Sequence, residues 1–167
     1  SYTLTNGIIY TGNWKDDKMH GEGKYAFNDF QYIGLFHNGD LHGEGIWTKI
    51  NKWGDIIEEK KGLFKKGVFI EGNVKIDITR GLWRGCRYEG GFSNESFNGY
   101  GSLSSYKRNL EYFGEFKDGG VTGNGRLERE GNIYEGEFYK NFFHGNGSYT
   151  LSNGEKYIGE WKNGKKN

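Results

Sequence analysis

The sequence predicts an all-β chain: an elongated, single-layer antiparallel sheet of about seven stacked β-hairpins with little or no helix. Glycine spacing is the first reason. Thirty of the 167 residues are Gly and none is Pro. The longest stretch free of Gly, Ser102 to Phe113, has only 12 residues. Each interior Gly costs a helix about 1 kcal/mol relative to Ala, so helices of ordinary length find no room. Short strands between glycine turns fit throughout, and without Pro every residue keeps a ladder donor. Alternation with a period of two residues is the second reason, and an internal repeat is the third.

The repeat is plain where Ser1–Gly7 reads SYTLTNG and Ser148–Gly154 reads SYTLSNG. Each copy starts as Tyr-x-Gly-x-Trp/Phe, turns, and continues into a second pair of glycines. The starts lie near residues 10, 32, 60, 88, 112, 134 and 157, with Lys60 replacing the Tyr of the third. In Tyr10-x-Gly12-x-Trp14 the named residues are two apart and share one face of a first strand. Past the turn, Gly21, Gly23, Tyr25 and Phe27 share a face of the second strand, while Asn13, Glu22 and Lys24 point the other way. A Gly beside each Tyr or Trp leaves room for a neighbouring ring.

The second strand carries His20-Gly-Glu-Gly23, His42-Gly-Glu-Gly45, Asn98-Gly-Tyr-Gly101, Thr122-Gly-Asn-Gly125 and His144-Gly-Asn-Gly147. One hairpin cannot bury its own face, but stacked hairpins can. Two strands per copy, spaced ~4.8 Å apart, make seven copies a ribbon about 65–70 Å long. Residues 50–87 are irregular and read as a modified repeat inside a single domain, 1–167. Residues 1–7 read as the tail of an earlier hairpin, and 157–167 as the first strand of an unfinished one.

Tyr32-Ile-Gly-Leu-Phe-His-Asn-Gly39-Asp-Leu-His-Gly-Glu-Gly45 resembles the MORN (membrane occupation and recognition nexus) repeat almost position for position, with Phe36 in place of Trp. The resemblance implies a β-hairpin array acting as a scaffold or binding module, found in junctional, ciliary and cytoskeletal proteins and beside catalytic domains. Asn98 and Thr122 depart from its His, and the middle copy departs throughout.

Composition and spacing exclude several other chemistries. A single Cys, Cys86, rules out an internal disulfide framework and a Cys-based zinc module. The net charge of +1 opposes nucleic-acid binding. No apolar run approaches the ~20 residues of a spanning helix. No leader is read, and the expected location is cytoplasmic, at the cytoskeleton or the inner face of a membrane. His20 and His42 hold equivalent places in successive copies, roughly 10 Å apart, too far to share a zinc ion. They read as turn residues bonded to local backbone, and His37 as a solvated loop residue. The Gly-x-Gly elements lack the third Gly and helix of a dinucleotide site. No catalytic residue, metal ligand or cofactor site is expected.

The expected function is a non-enzymatic scaffold that holds a partner segment along an aromatic, glycine-paved concave groove. Its contacts would come from Tyr10, Trp14, Tyr32, Phe36, Tyr88, Phe92, Tyr112, Phe116, Tyr134 and Phe138. Two alternatives stand beside it: a regulatory repeat fragment of a larger enzyme, or tethering to anionic phospholipid through Lys60, Lys61, Lys65 and Lys66. Homodimerisation through the last repeat is expected from an open edge strand. On the opposite face Ile33, Leu35, Ile46 and Leu63 should form an apolar patch, which residues 50–59 are expected to cover with Trp53, Ile56 and Ile57.

Overall fold

The computed structural model describes residues 7–167 and the backbone of Tyr2–Thr3. Strands take 73% of it, and the one helical element among the described residues is a 3-10 turn at Tyr106–Arg108. The chain divides into two compact bodies, Ser1–Ile76 with Ser93–Glu95, and Asp77–Phe92 with Ser96–Asn167. In the first, the strands are β1 (Tyr2–Thr3), β2 (Ile9–Lys15), β3 (Lys18–Phe27), β4 (Phe30–His37), β5 (Asp40–Ile50), β6 (Ile56–Lys65) and β7 (Val68–Asp77). In the second they are β8 (Arg87–Ser93), β9 (Ser96–Ser105), β10 (Leu110–Lys117), β11 (Gly120–Arg129), β12 (Asn132–Tyr139), β13 (Phe142–Thr150), β14 (Lys156–Lys162) and β15 (Lys165–Lys166). Within each body successive strands pair antiparallel, so chain order is sheet order. The expectation for residues 1–7 falls largely outside the described residues.

The turns explain the hairpins. Asp16 and Asp17 (φ 50° and 59°), Asn38 and Gly39 (52° and 93°), and Asp118 and Gly119 (51° and 79°) are consecutive left-handed residues. Two such residues match the right-handed twist of the strands they join, and Asn, Asp and Gly adopt them at least cost. The tips are also tied across copies. Gly39 N–H donates to the Met19 carbonyl (2.9 Å) and Gly67 N–H to Leu41 (3.0 Å) in the first body. In the second, Gly119 donates to Phe97 (3.1 Å), Asn141 to Val121 (3.1 Å) and Gly164 to Phe143 (2.9 Å).

A line of glycines crosses each sheet. In the first body Gly12 pairs with Gly23, Gly23 with Gly34, Gly34 with Gly45, Gly45 with Gly62 and Gly62 with Gly72. In the second the line runs through Gly101, Gly114, Gly125, Gly136, Gly147 and Gly159. The Tyr two residues before each first-strand glycine lies along this line. A Cβ on Gly23 would meet the Tyr10 ring at 2.6 Å, and one on Gly101 the Tyr88 hydroxyl at 2.8 Å. The hydroxyl then donates to the carbonyl three residues on: Tyr10 to Asn13 (2.9 Å), Tyr32 to Leu35 (3.1 Å), Tyr88 to Gly91 (2.8 Å) and Tyr112 to Glu115 (3.1 Å). These carbonyls sit at or beside the β-bulges, where the register slips in β2, β4 and β10. In the copy without a Tyr, a Cβ on Gly72 would meet the Gly62 Cα at 2.8 Å, so the backbones alone demand glycine there.

The irregular middle contains a hairpin and two added loops. β6 pairs with β5 and β7 like any other first strand. The expected cover over the back of the sheet does not form. Asn51–Asp55 close a tight turn in which the Asn51 side chain accepts from the N–H of Trp53 (2.9 Å) and Asp55 (3.0 Å). Ile56, Glu58 and Glu59 are committed to the ladder with β5, so they cannot fold back. Trp53 is 75% exposed, and Ile33 (53%) and Leu35 (39%) stay open to solvent. The second loop, residues 78–86, closes on itself through Ile78 N–H to the Cys86 carbonyl and Gly85 N–H to Ile78, both 2.8 Å.

Adding one methyl to the glycine line should therefore be costly where φ is unstrained. Gly45→Ala drives a Cβ into the Tyr32 ring and should lose about 1–3 kcal/mol of stability. Gly39→Ala meets no atom within 4 Å and pays only for its left-handed φ of 93°, about 1 kcal/mol. Urea denaturation of the two variants side by side checks the order.

Candidate functional site

Ten of the sequence-predicted side chains lie on the glycine-lined face, and their burial separates them. Tyr10, Tyr32, Phe36, Tyr88, Tyr112, Phe116, Tyr134 and Phe138 are buried. Phe92 is half-buried and Trp14 is 39% exposed. The buried rings meet edge to face in a zigzag. In the first body it runs Tyr10–Phe36–Tyr32–Phe64, with centroids 5.1, 5.2 and 5.1 Å apart and planes at 81°, 88° and 80°. In the second it runs Tyr88–Phe116–Tyr112–Phe138–Tyr134–Trp161 at 4.9 to 5.5 Å. Each such pair adds about 0.5–1.5 kcal/mol beyond its buried area. These rings are thus the floor of the face, packed on one another and out of a partner's reach, which corrects their expected part as contacts.

Two walls rise from this floor, made of residues the sequence reading did not choose. In the first body one wall is Met19 and Leu41 beside the tips, and the other is Tyr25, Phe30 and Trp47, all half-buried. Phe30 stacks between Tyr25 (6.2 Å, 22°) and Trp47 (6.1 Å, 26°). Lys60 lies 4.9 Å over the Trp47 ring and pairs with Glu58 at 2.9 Å. Met19, Tyr25, Phe30, Tyr32, Leu41 and Trp47 enclose a trough of about 260 Å³. In the second body Phe143, Tyr149, Tyr157 and Trp161 line a trough of about 410 Å³. The signal was available: Tyr25, Trp47 and Tyr149 each sit two residues after a Gly-x-Gly, on the inward parity.

Part of the second body's face is filled by its own loop. Trp83 lies beside Leu110, Tyr112 and Val121, and its indole N–H donates to the Gly119 carbonyl at 3.3 Å. Leu103, Leu110, Val121 and Cys86 are buried in this body, whereas Tyr25 and Trp47, at the places equivalent to Leu103 in the first body, are half-buried. Ser105 Oγ, also buried, donates to the Gly85 carbonyl at 2.9 Å and holds the loop's end.

The remaining candidates are dispersed or rearranged. Lys60 points to the floor side of β6 and Lys61 to the opposite face, across from Ile46. Lys65 ends the strand and Lys66 lies in the turn, so the four lysines are not all on one face, Lys60 standing apart on the floor side. His37 is not a loop residue: it ends β4, with its ring 5.1 Å from His20 and 5.3 Å from His42. His144 packs on Tyr139 at 5.5 Å. The enclosed Nδ1 atoms of His20 and His144 have no hydrogen-bond partner, so ring packing, rather than backbone bonding, seats them. Among the described residues no group of three or more His, Cys, Asp or Glu is arranged to hold a metal ion.

A family model described as the MORN repeat matches residues 10–30, 32–52, 134–156 and 157–167. Four segments of the chain match the MORN repeat. The hairpins starting at Tyr88 and Tyr112 lie outside the matched segments yet repeat the Tyr-on-glycine geometry of the MORN units beside them. MORN repeats generally mediate contacts with proteins or membranes, and as a module they are typically non-enzymatic. No helix among the described residues is long and apolar enough to cross a membrane.

Burial pushes the floor phenols up, Tyr32 and Tyr88 to about 12 and Tyr112 further still. An unfolded phenol ionises near 10. Above about pH 10 the folded chain therefore binds more protons than the unfolded one, and stability falls as pH rises toward about 12. Below about pH 9 both states are protonated, so the phenols add no pH dependence. Urea melts at rising pH should show this alkaline loss, and Tyr32→Phe should make it shallower.

Proposed function

We propose that this chain is a non-enzymatic interaction scaffold that binds an extended or helical segment of another protein along the ring-walled troughs. One observation carries the reading: Tyr25, Phe30 and Trp47 are aligned, half-exposed and seated over a floor of buried rings. Rings held this way offer a partner large apolar area with little conformational entropy left to lose. Met19 and Leu41 supply an aliphatic wall opposite, and Gly39 and Gly67 at the hairpin tips bring bare backbone to the edge of the trough. An apolar stripe on a partner strand or helix complements such a groove.

The test is selection of about 15-residue peptides by display against the full chain, followed by calorimetry on the enriched sequences. Phe30→Ala with Trp47→Ala should weaken binding at least tenfold, about 1.4 kcal/mol or more, while the hairpins stay folded. Tyr32→Ala should instead lower the melting temperature sharply, because it empties the floor. Undiminished affinity in the Phe30/Trp47 variant, or no enriched peptide at all, overturns the reading.

A further inference from the structure

The back of the first body carries a pattern of charge that the troughs do not use. Across β3 to β6 one row reads Lys24, Ile33, Ile46, Lys61. The row beside it pairs Glu22 with Leu35, and Glu44 with Leu63, which pairs on with Glu71. Apolar residues thus occupy the middle of the first row between two lysines, whereas the second row alternates, Glu22, Leu35, Glu44, Leu63 and Glu71, and carries only negative charge. Ile33 and Leu35 are exposed. None of Lys24, Lys61, Glu22, Glu44 and Glu71 is in a salt bridge among the described residues. The second body handles its back differently. There Arg126 pairs with Glu128 (2.8 Å) and Glu135 (3.5 Å), and these charges separate the exposed Phe113 and Ile158 along one row.

We propose that this face binds a second copy of the chain, back to back, about a twofold axis lying between the two rows. Such an axis sets the lysine row of one copy over the glutamate row of the other, twice, with Lys24 facing Glu22, and brings Ile33 of each copy over Leu35 of the other. A twofold interface must be complementary to itself, and a face with one basic and one acidic row meets that condition. A partner of uniform charge would be repelled by one of the rows. Two sheets meeting this way lie about 10 Å apart with strands turned by about 30°, within reach of Lys and Glu side chains. Five strands by two or three residue rows cover about 300–400 Å² per copy, so the pairing is weak and concentration-dependent.

Sedimentation velocity on the full chain from about 5 to about 500 µM tests this. The wild type should shift from monomer toward dimer over that range. Lys24→Glu with Lys61→Glu should stay monomeric, and so should Glu22→Lys with Glu44→Lys, each with unchanged circular dichroism. Mixing the two variants should restore a dimer, because each acidic row then faces a basic one. A wild type monomeric throughout, or variants that dimerise alone as well as wild type, would overturn the proposal. So would a dimer lost only on removing residues 157–167, which would place the contact at the last repeat. A mixture that fails to pair would also refute it.

Discussion

Everything in this chain hangs on a phenol ring lying flat across glycine. A strand pair brings facing Cα atoms within about 4.5–5.5 Å, and no ring can lie over such a pair if either residue carries a Cβ. By placing glycine on both strands, the repeat gives each Tyr a bed of bare backbone, as Gly34 and Gly45 do for Tyr32. The hydroxyl at the far end reaches the bulge and accepts no exposure: its proton goes to a carbonyl three residues on. The glycines weaken the strands, and the ring returns the stability by covering them. The bulge then turns the following aromatic inward to meet the Tyr edge to face. The core of this sheet is therefore a layer one ring thick, laid down copy by copy.

That layer separates stability from recognition within one face. The Tyr and Phe of the first strand pack on each other and vanish from the surface. The rings of the second strand stand beside them with one side free. A change in the outer ring alters what the surface presents and leaves the layer below intact. The second body illustrates it: Trp83 of the chain's own loop lines a trough with Leu110, Tyr112, Val121 and Leu127, the last at the place that Tyr25 and Trp47 hold in the first body. One copy thus trades an outward surface for an internal seat without disturbing Tyr88 or Tyr112 beneath.

Most of the fold was legible because glycine and aromatic spacing are local signals. Copy starts at residues 10, 32, 88, 112, 134 and 157 each fall in a first strand, and Lys60 does too despite its missing Tyr. The site was legible only by face. Parity assigns Tyr32 and Trp47 to the same side, but not which of them is covered, since that follows from the neighbouring copy's Phe64 and the glycines. The same parity pairs Ile33 with Ile46 and leaves Ile33 and Leu35 open to solvent, whereas the expected cover by residues 50–59 does not form. Nothing in the composition of residues 50–59 distinguishes a flap from a turn. The Asn51 side chain decides it by binding two backbone N–H groups at once. His37 is a strand residue for a simpler reason: Asn38 and Gly39 alone make the turn, so the strand runs right up to it and His37 pairs with Asp40.

The ties between hairpin tips give the array a direction. In the backbone bonds the donor belongs to the later copy and the acceptor to the earlier: Gly39 to Met19, Gly67 to Leu41, Gly119 to Phe97, Gly164 to Phe143, and Asn141 to Val121, whose own N–H donates back to the Asn141 side chain at 2.8 Å. The same order holds at the opposite ends, where Ile50 donates to Asp29 and Glu130 to Asn109. A polypeptide leaves the ribosome from its N-terminus at about 5–20 residues per second. Each new hairpin therefore emerges opposite a completed predecessor whose carbonyls already point outward to receive it. Synthesis itself runs along the grain of the structure, and growth by one copy at a time requires no rearrangement of what has already been made.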